Sequence, residues 1–261
     1  INTNIKGGIN VKIISVANIK GGVGKTLSTI NLAGQLAKQG YKTLIIDNDP
    51  QSNVSQILNI EDPEITLYDV YNDKKIGFDD CIYEVSENLY VVPNKIRSSK
   101  LEINLATKMN RESIFKMKRN TIPQVFSYVI IDNSPFLGIL TQNALVISDY
   151  LLAVVDNSVS SLQGLNMLHE VQEEIEEAGL NENLKLLGIL RSRWDKNTRF
   201  TKDFNQVLET NFKDDVFNTI IYNSIKYKEA SALHKTIQDY DKKHAEPYKE
   251  LVKEIEKRLD I

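Results

Sequence analysis

The sequence predicts an α/β fold, a mostly parallel twisted sheet with helices on both faces. Three observations carry that expectation. Short Val/Ile/Leu runs alternate with longer amphipathic stretches. The runs are nearly continuous, as a sheet covered on both faces requires. A glycine-rich stretch, NIKGGVGKT at 18–26, stands where the first apolar run ends and the first long amphipathic stretch begins.

In chain order, VKIISVA (11–17) reads as the first strand. A helix follows from about Lys25 to Gln39, and Gly40 is a suitable stop. The next strands are TLIIDND (43–49), NLYVVP (88–93), YVIIDN (128–133), YLLAVVD (150–156) and LKLLGIL (184–190). A second long helix covers about Leu162 to Ala178 and stops at Gly179, with EVQEEIEEA as its solvated acidic face. Near the end, Tyr248, Leu251, Val252, Ile255 and Leu259 are spaced to share one face of a helix. Acidic residues offset the basic ones there, so the helix is expected to pack on the domain and not on anionic lipid. The expected organisation is a flexible N-terminal tail, 1–10, before a single domain, 11–261.

Composition narrows the function classes. The 261 residues are 41% apolar and 26% charged, within the ordinary globular range. Cys81 stands alone, which excludes an internal disulfide and a cysteine-ligated cluster within one chain. A reducing cytoplasm is the expected home. His169, His234 and His244 have no metal-ligand spacing. The net charge of −3 does not announce a nucleic-acid binder. Residues 185–235, however, hold ten Lys and Arg against six Asp and Glu, concentrated in RSRWDKNTRFTK (191–202) and at Lys226, Lys228 and Lys235. Within that stretch Trp194 is expected to pack or to edge a nucleotide.

A phosphate loop needs a strand before it and a helix after it. NIKGGVGKT has both. The copy of NIKGG at 4–8 has neither and belongs to the tail. In the second copy, Gly21, Gly22 and Gly24 let backbone N–H groups turn toward phosphate oxygens. The helix N-terminus adds its dipole. Lys25 would reach the β- and γ-phosphates, and the Thr26 hydroxyl would hold Mg²⁺. Lys20 to Leu27, with Val23 inside the loop, is the expected nucleotide-binding stretch. Compared with GxxxxGK[ST], Ile19 replaces the first glycine and Lys20 adds a cation. The expected architecture is thus a three-layer P-loop NTPase fold. Metal carboxylates should close buried strands; Asp47, Asp49 and Asp132 all do.

KGGVGKT with its early lysine resembles the ParA/MinD group of deviant Walker ATPases. IIDNDPQSN (45–53) is similar to that family's switch I, and YVIIDNSPFLG (128–138) to its Walker B and switch II. LTQNAL (140–145), LQGL (162–165) and IIYNSIKYKEASALHKTIQDYD (220–241) resemble the ParA branch. The resemblance implies that Lys20 crosses an ATP-bound homodimer to the partner's phosphates and that Asp49 orients the attacking water. It implies that Asp47 and Asp132 serve Mg²⁺, that Gln51 lies in the responding switch, and that Arg193 and Asn223 contact adenine. It further implies a partition ATPase that binds duplex DNA non-specifically and is stimulated by a ParB-like centromere-binding protein on the nucleoid. The DNA-facing residues would be Arg191, Lys196, Arg199, Lys202, Lys226, Lys228 and Lys235. Two departures stand out: Ser134 replaces a proline, and VVDNS (154–158) lacks a proline and a glutamate. The alternatives are a positioning ATPase with membrane or protein cargo, and a metabolic P-loop kinase or ligase.

Overall fold

A computed structural model describes residues 11–95, 100–195 and 199–261. The expected tail, 1–10, lies outside them. The strands are β1 (Lys12–Ala17), β2 (Thr43–Asn48), β3 (Tyr83–Ser86), β4 (Leu89–Val92), β5 (Tyr128–Asn133), β6 (Tyr150–Val155), β7 (Lys185–Trp194) and β8 (Val216–Tyr222). They form one eight-stranded sheet in the order β3-β4-β2-β5-β1-β6-β7-β8. Only β3 runs antiparallel to its neighbour. Every other adjacent pair is parallel.

The helices are α1 (Lys25–Lys38), α2 (Asn53–Ile57), α3 (Leu67–Asn72), α4 (Leu101–Leu105), α5 (Ile114–Lys118), α6 (Ile139–Ile147), α7 (Val159–Glu177), α8 (Arg199–Phe212), α9 (Ile225–Ala232), α10 (Ile237–Tyr240) and α11 (Lys242–Arg258). Successive strand residues feed opposite cores, because side chains alternate across a sheet. Ile14 and Val16 pack with Ile30 and Leu36 of α1 and with Tyr248, Leu251 and Ile255 of α11. Ile13 packs with Leu67, Phe115 and Leu140 from α3, α5 and α6. A third cluster joins β6 and β7 to Leu165 of α7 and Leu208 of α8. Helices therefore cover both faces, as the unbroken apolar runs require.

Two strands were not legible, for related reasons. β3 is a four-residue edge whose side chains are exposed or half-exposed. β8 is the other edge, and Asn218 and Thr219 interrupt its apolar run. Their backbone N–H groups donate to the Glu254 carboxylate of α11, each at 2.8 Å. β7 extends to Trp194, four residues past the apolar run. Arg191 lies within that extension. It is buried, donates to Asn205 Oδ1 (3.0 Å) and to the Phe217 carbonyl (2.9 Å), and so is not a DNA-facing residue. Trp194 is buried against Phe204, with ring centroids 5.6 Å apart, which fulfils the packing expectation.

Candidate active site

The parallel sheet brings the carboxyl ends of its strands to one side, the common ligand-binding edge of open α/β sheets. The 18–26 loop follows β1, Asp49 follows β2, and Ser134–Phe136 follows β5. The 156–158 segment follows β6, and Asn223 follows β8. Residues far apart in sequence thus meet because their strands share a direction.

The loop is built as its glycines predict. Gly22 and Gly24 adopt φ of +78° and +99°, and Gly24 is the N-cap of α1. At its root, Asn18 Nδ2 donates to the Val154 carbonyl (2.7 Å), while Asn18 Oδ1 accepts from the Lys20 N–H (3.0 Å). Gly164, the glycine of LQGL, permits that approach: a Cβ there would collide with Asn18 Oδ1. Val23 is buried beneath the loop and Gly21 is exposed on it. Lys25 is nearly buried, and its ammonium donates to the Lys20 carbonyl (3.0 Å). Burial lowers its pKa, opposed by Asp132 and Asp49.

Asp47 and Asp132 are register partners on adjacent strands, both fully buried. Thr26 Oγ1 donates to Asp132 Oδ2 (2.8 Å) and Thr29 Oγ1 to Oδ1 (3.2 Å). Asp47 Oδ2 accepts from the N–H (2.9 Å) and hydroxyl (2.6 Å) of Ser55. Asp47 Oδ1 has no partner. Burial first, then the mutual repulsion of Asp47 and Asp132, pushes Asp132 up to about 8. Burial also pushes Asp47 up to about 7, against the hydrogen bonds from Ser55. Two buried carboxylates with one orphan oxygen suit a nearby divalent cation, because such charges are costly unless neutralised. No group of three or more His, Cys, Asp or Glu among the described residues could hold a metal by itself. The donor set therefore fits Mg²⁺ held by the Thr26 hydroxyl and phosphate oxygens, with the two aspartates behind. Thr26 commits its proton to Asp132, which leaves its lone pairs for the metal.

Asp49 is buried and accepts from the Gln51 N–H (2.9 Å). It lines a cavity of about 330 Å³ with Gly21, Gly24, Lys25, Thr26 and Gln51. A smaller cavity, about 80 Å³, is lined by Asn223, Ser224 and Tyr227. Leu27 and Arg193 line both, so the two spaces meet at those two residues. Arg193 Nη1 donates to the Gly22 carbonyl (2.5 Å), and the exposed Asn223 is fixed through its N–H to the Trp194 carbonyl (2.9 Å).

Lys20 points elsewhere. Its ammonium contacts Asp156 Oδ2 (2.6 Å) and Ser158 Oγ (2.8 Å) of the same chain. Burial opposes it, but hydrogen bonds from Lys20, Ser158 and Ser161 hold the Asp156 carboxyl below its ordinary range. Sequence reasoning noted VVDNS as a departure but missed this pairing. An aspartate closing the buried run of β6 was the available signal. Ser55 and Asn94, which contact Asp47 and Asp49, carried no such signal.

Of the basic residues, Arg199 and Lys202 are exposed on the first turn of α8, and Lys228 on α9. Lys226 pairs with Glu229 (2.9 Å) and lies over the Tyr240 ring. Lys235 is exposed beyond the end of α9. Lys196 lies outside the described residues.

Comparison with known proteins fits this site. Residues 11–186 match an AAA domain family. The chain is 35% identical over 248 residues to the sporulation initiation inhibitor protein Soj of Bacillus subtilis, covering 94% of this chain and 98% of that protein. It is 33% identical over 253 residues to the chromosome partitioning protein ParA of Myxococcus xanthus, covering 95% and 88%. Among solved structures, an ATP complex of McdA from Cyanothece superposes with a TM-score of 0.86 at 22% identity, covering 97% of this chain and 98% of that one. A putative plasmid partition protein from Borrelia burgdorferi bound to AMPPNP gives 0.82 at 25%, covering 95% and 100%. Fold and site define a P-loop ATPase. More narrowly, the chain belongs to the ParA/Soj family of partition ATPases.

Proposed function

We propose that this chain is an ATP-driven DNA-partitioning switch. ATP would close a homodimer, the dimer would hold duplex DNA non-specifically, and a ParB-like partner would trigger hydrolysis and release. The carrying observation is that the loop, Lys25 and Asp49 converge around one cavity, in a chain similar to named partitioning proteins over nearly its whole length.

The chain's residues have separable tasks. Loop N–H groups and Lys25 bind and orient the triphosphate. Mg²⁺ would neutralise developing charge on the phosphates when bound. Asp49, which lines the same cavity as the loop, would orient the attacking water. Arg193 and Asn223 edge the smaller cavity and are the proposed adenine contacts. To serve a second subunit, Lys20 must exchange Asp156 and Ser158 for the partner's phosphates. That exchange couples nucleotide occupancy to dimerisation. Moving such an equilibrium from 1:99 to 99:1 needs about 5.5 kcal/mol of differential binding.

DNA would be held by phosphate contacts from Arg199, Lys202, Lys226, Lys228 and Lys235. The first four follow the carboxyl ends of β7 and β8, the same side of the sheet as the nucleotide loop. Nucleoid association follows from such binding. No described helix is long and apolar enough to cross a membrane.

Asp49→Ala tests the reading. Removing the water-orienting carboxylate should trap the ATP form. The variant should bind random duplex DNA tightly with ATP, weakly with ADP, and with a steep loss as salt rises. Binding in no nucleotide state would sink the DNA role and point to a protein cargo.

A further inference from the structure

Ser224, His244 and Asp241 form a hydrogen-bonded chain beside the smaller cavity. Ser224 Oγ lies 3.0 Å from His244 Nε2, and His244 Nδ1 lies 2.9 Å from Asp241 Oδ1. Ser224 follows β8 as the N-cap of α9. Asp241 is the N-cap of α11, and His244 stands on the first turn of that helix. The serine is thus brought to its histidine by the packing of two helix starts, not by a local motif.

The acceptor fixes the protons. A carboxylate can only accept, so His244 Nδ1–H donates to Asp241 and Nε2 keeps its lone pair for the Ser224 hydroxyl proton. Asp241 Oδ1 also accepts the His244 N–H (3.0 Å). These bonds hold the Asp241 carboxyl below its ordinary range, so it stays charged. The His244 ring is steadied by the Tyr227 ring, edge-on with centroids 5.9 Å apart, and the Tyr227 hydroxyl donates to the His244 carbonyl (3.1 Å). All three members of the chain are half-buried, neither sealed in the core nor free in solvent. Ser224 lines the cavity of about 80 Å³ with Asn223 and Tyr227, a space that suits a short acyl group. The Lys226 N–H, on the first turn of α9, points at Ser224 Oγ (3.3 Å). Negative charge developing on an oxygen next to Oγ would meet that N–H and the positive end of the helix dipole.

We propose that Ser224 is a nucleophile toward small activated carboxylic esters, with His244 as its general base and Asp241 positioning the base. The arrangement meets the two geometric requirements of such a site, nucleophile to base and base to orienting carboxylate. Ser224 Oγ attacks the ester carbonyl carbon while His244 Nε2 takes the hydroxyl proton. The bond from that carbon to the alcohol oxygen breaks, and the alcohol leaves with the proton from His244. Water then attacks the acyl group on Ser224 and gives its proton to His244. The acyl–Oγ bond breaks, the carboxylic acid is released, and the proton returns to Ser224. The sum is ester plus water to acid plus alcohol. Neither Lys25 nor Asp49 takes part, so the activity does not rest on the partition reading.

The probe is p-nitrophenyl acetate with the full chain. Release of p-nitrophenol is followed for the wild type, Ser224→Ala, His244→Ala, Asp241→Asn and Ser86→Ala, the last a serine exposed on the edge strand β3. The acetylated chain is mapped by peptide mass spectrometry. The wild type should show a burst followed by slower turnover, with acetyl on Ser224. Ser224→Ala and His244→Ala should each lose about 100-fold in rate, and Ser86→Ala should match the wild type. Ser224 also caps α9, so Asp241→Asn is the sharper variant. Asparagine caps a helix as well as aspartate does, which keeps α11 in place. Its amide favours the tautomer that cannot take the serine proton, so the rate should still fall at least about tenfold. Equal rates in the wild type and Ser224→Ala, or acetyl on lysines alone, would overturn the nucleophile. A Ser224-dependent rate untouched by Asp241→Asn would overturn the positioning role of Asp241.

Discussion

Single residues set the chemistry here through burial and backbone conformation. Lys25 is nearly buried among Asp132 and Asp49. Removing it leaves carboxylates facing the phosphates without a counter-charge. Lys25→Ala should weaken ATP binding about 100-fold or more, equivalent to roughly 3 kcal/mol. Isothermal titration would read this directly, and near-normal affinity would contradict the loop assignment. Gly24 is constrained differently. Its φ is +99°, and a methyl group added there would lie 2.6 Å from Ser192 Oγ, so conformation and space both oppose a side chain. Gly24→Ala should cost on the order of 1–3 kcal/mol and lower ATP affinity with it. Asp132 and Asp47 make a third case. Their native pKa values lie near 8 and 7, above the value of about 4 for an unfolded aspartate. The folded chain therefore binds protons that the unfolded chain has released. Their contribution favours folding at low pH and is lost as pH rises toward 8. Without Mg²⁺ and nucleotide, the melting temperature should fall between pH 6 and pH 8.5. Asp132→Asn should flatten that slope, and an unchanged slope in the variant would refute the assignment.

At the scale of elements, α11 shows how a polar sequence can still be structural. Its apolar residues are confined to one stripe, and Tyr248, Leu251, Val252 and Ile255 are all buried against the sheet and α1. Leu251→Ala should cost about 2–5 kcal/mol, measured by urea denaturation. A value under about 0.5 kcal/mol would mean that α11 is only loosely attached. Glu254 and Arg258 on the same helix tie it to the β7–β8 edge: Arg258 donates to the carbonyls of Leu187 (2.7 Å) and Asp215 (3.0 Å). The apolar spacing announced the packed face. It did not announce these polar anchors, since nothing in local sequence marks which carbonyls a distant arginine will meet.

For the whole molecule, the parallel sheet matters most, because it collects loops from β1, β2, β5, β6, β7 and β8 on one side. The exposed cations of α8 and α9 share that side with the nucleotide loop. If they hold DNA phosphates in the closed dimer, Arg199→Ala/Lys202→Ala should reduce the slope of log affinity against log salt by about two per subunit. An unchanged slope would place the DNA surface elsewhere. Lys226 should contribute less than Lys228, because Glu229 and Tyr240 already engage it.

What the sequence by itself determined is the fold class, the phosphate loop and the aspartates that close β2 and β5. These are local signals: strand, glycine turn and helix follow one another within a few residues, and a carboxylate ending an apolar run is visible without any partner. Only the tertiary structure decided which side chains meet. It buried Arg191 inside β7, gave Lys20 to Asp156 and Ser158, and placed Ser55 against Asp47. Those pairings join residues 8 to 138 positions apart. Strand order and direction set them, and neither is written in any local stretch of the chain.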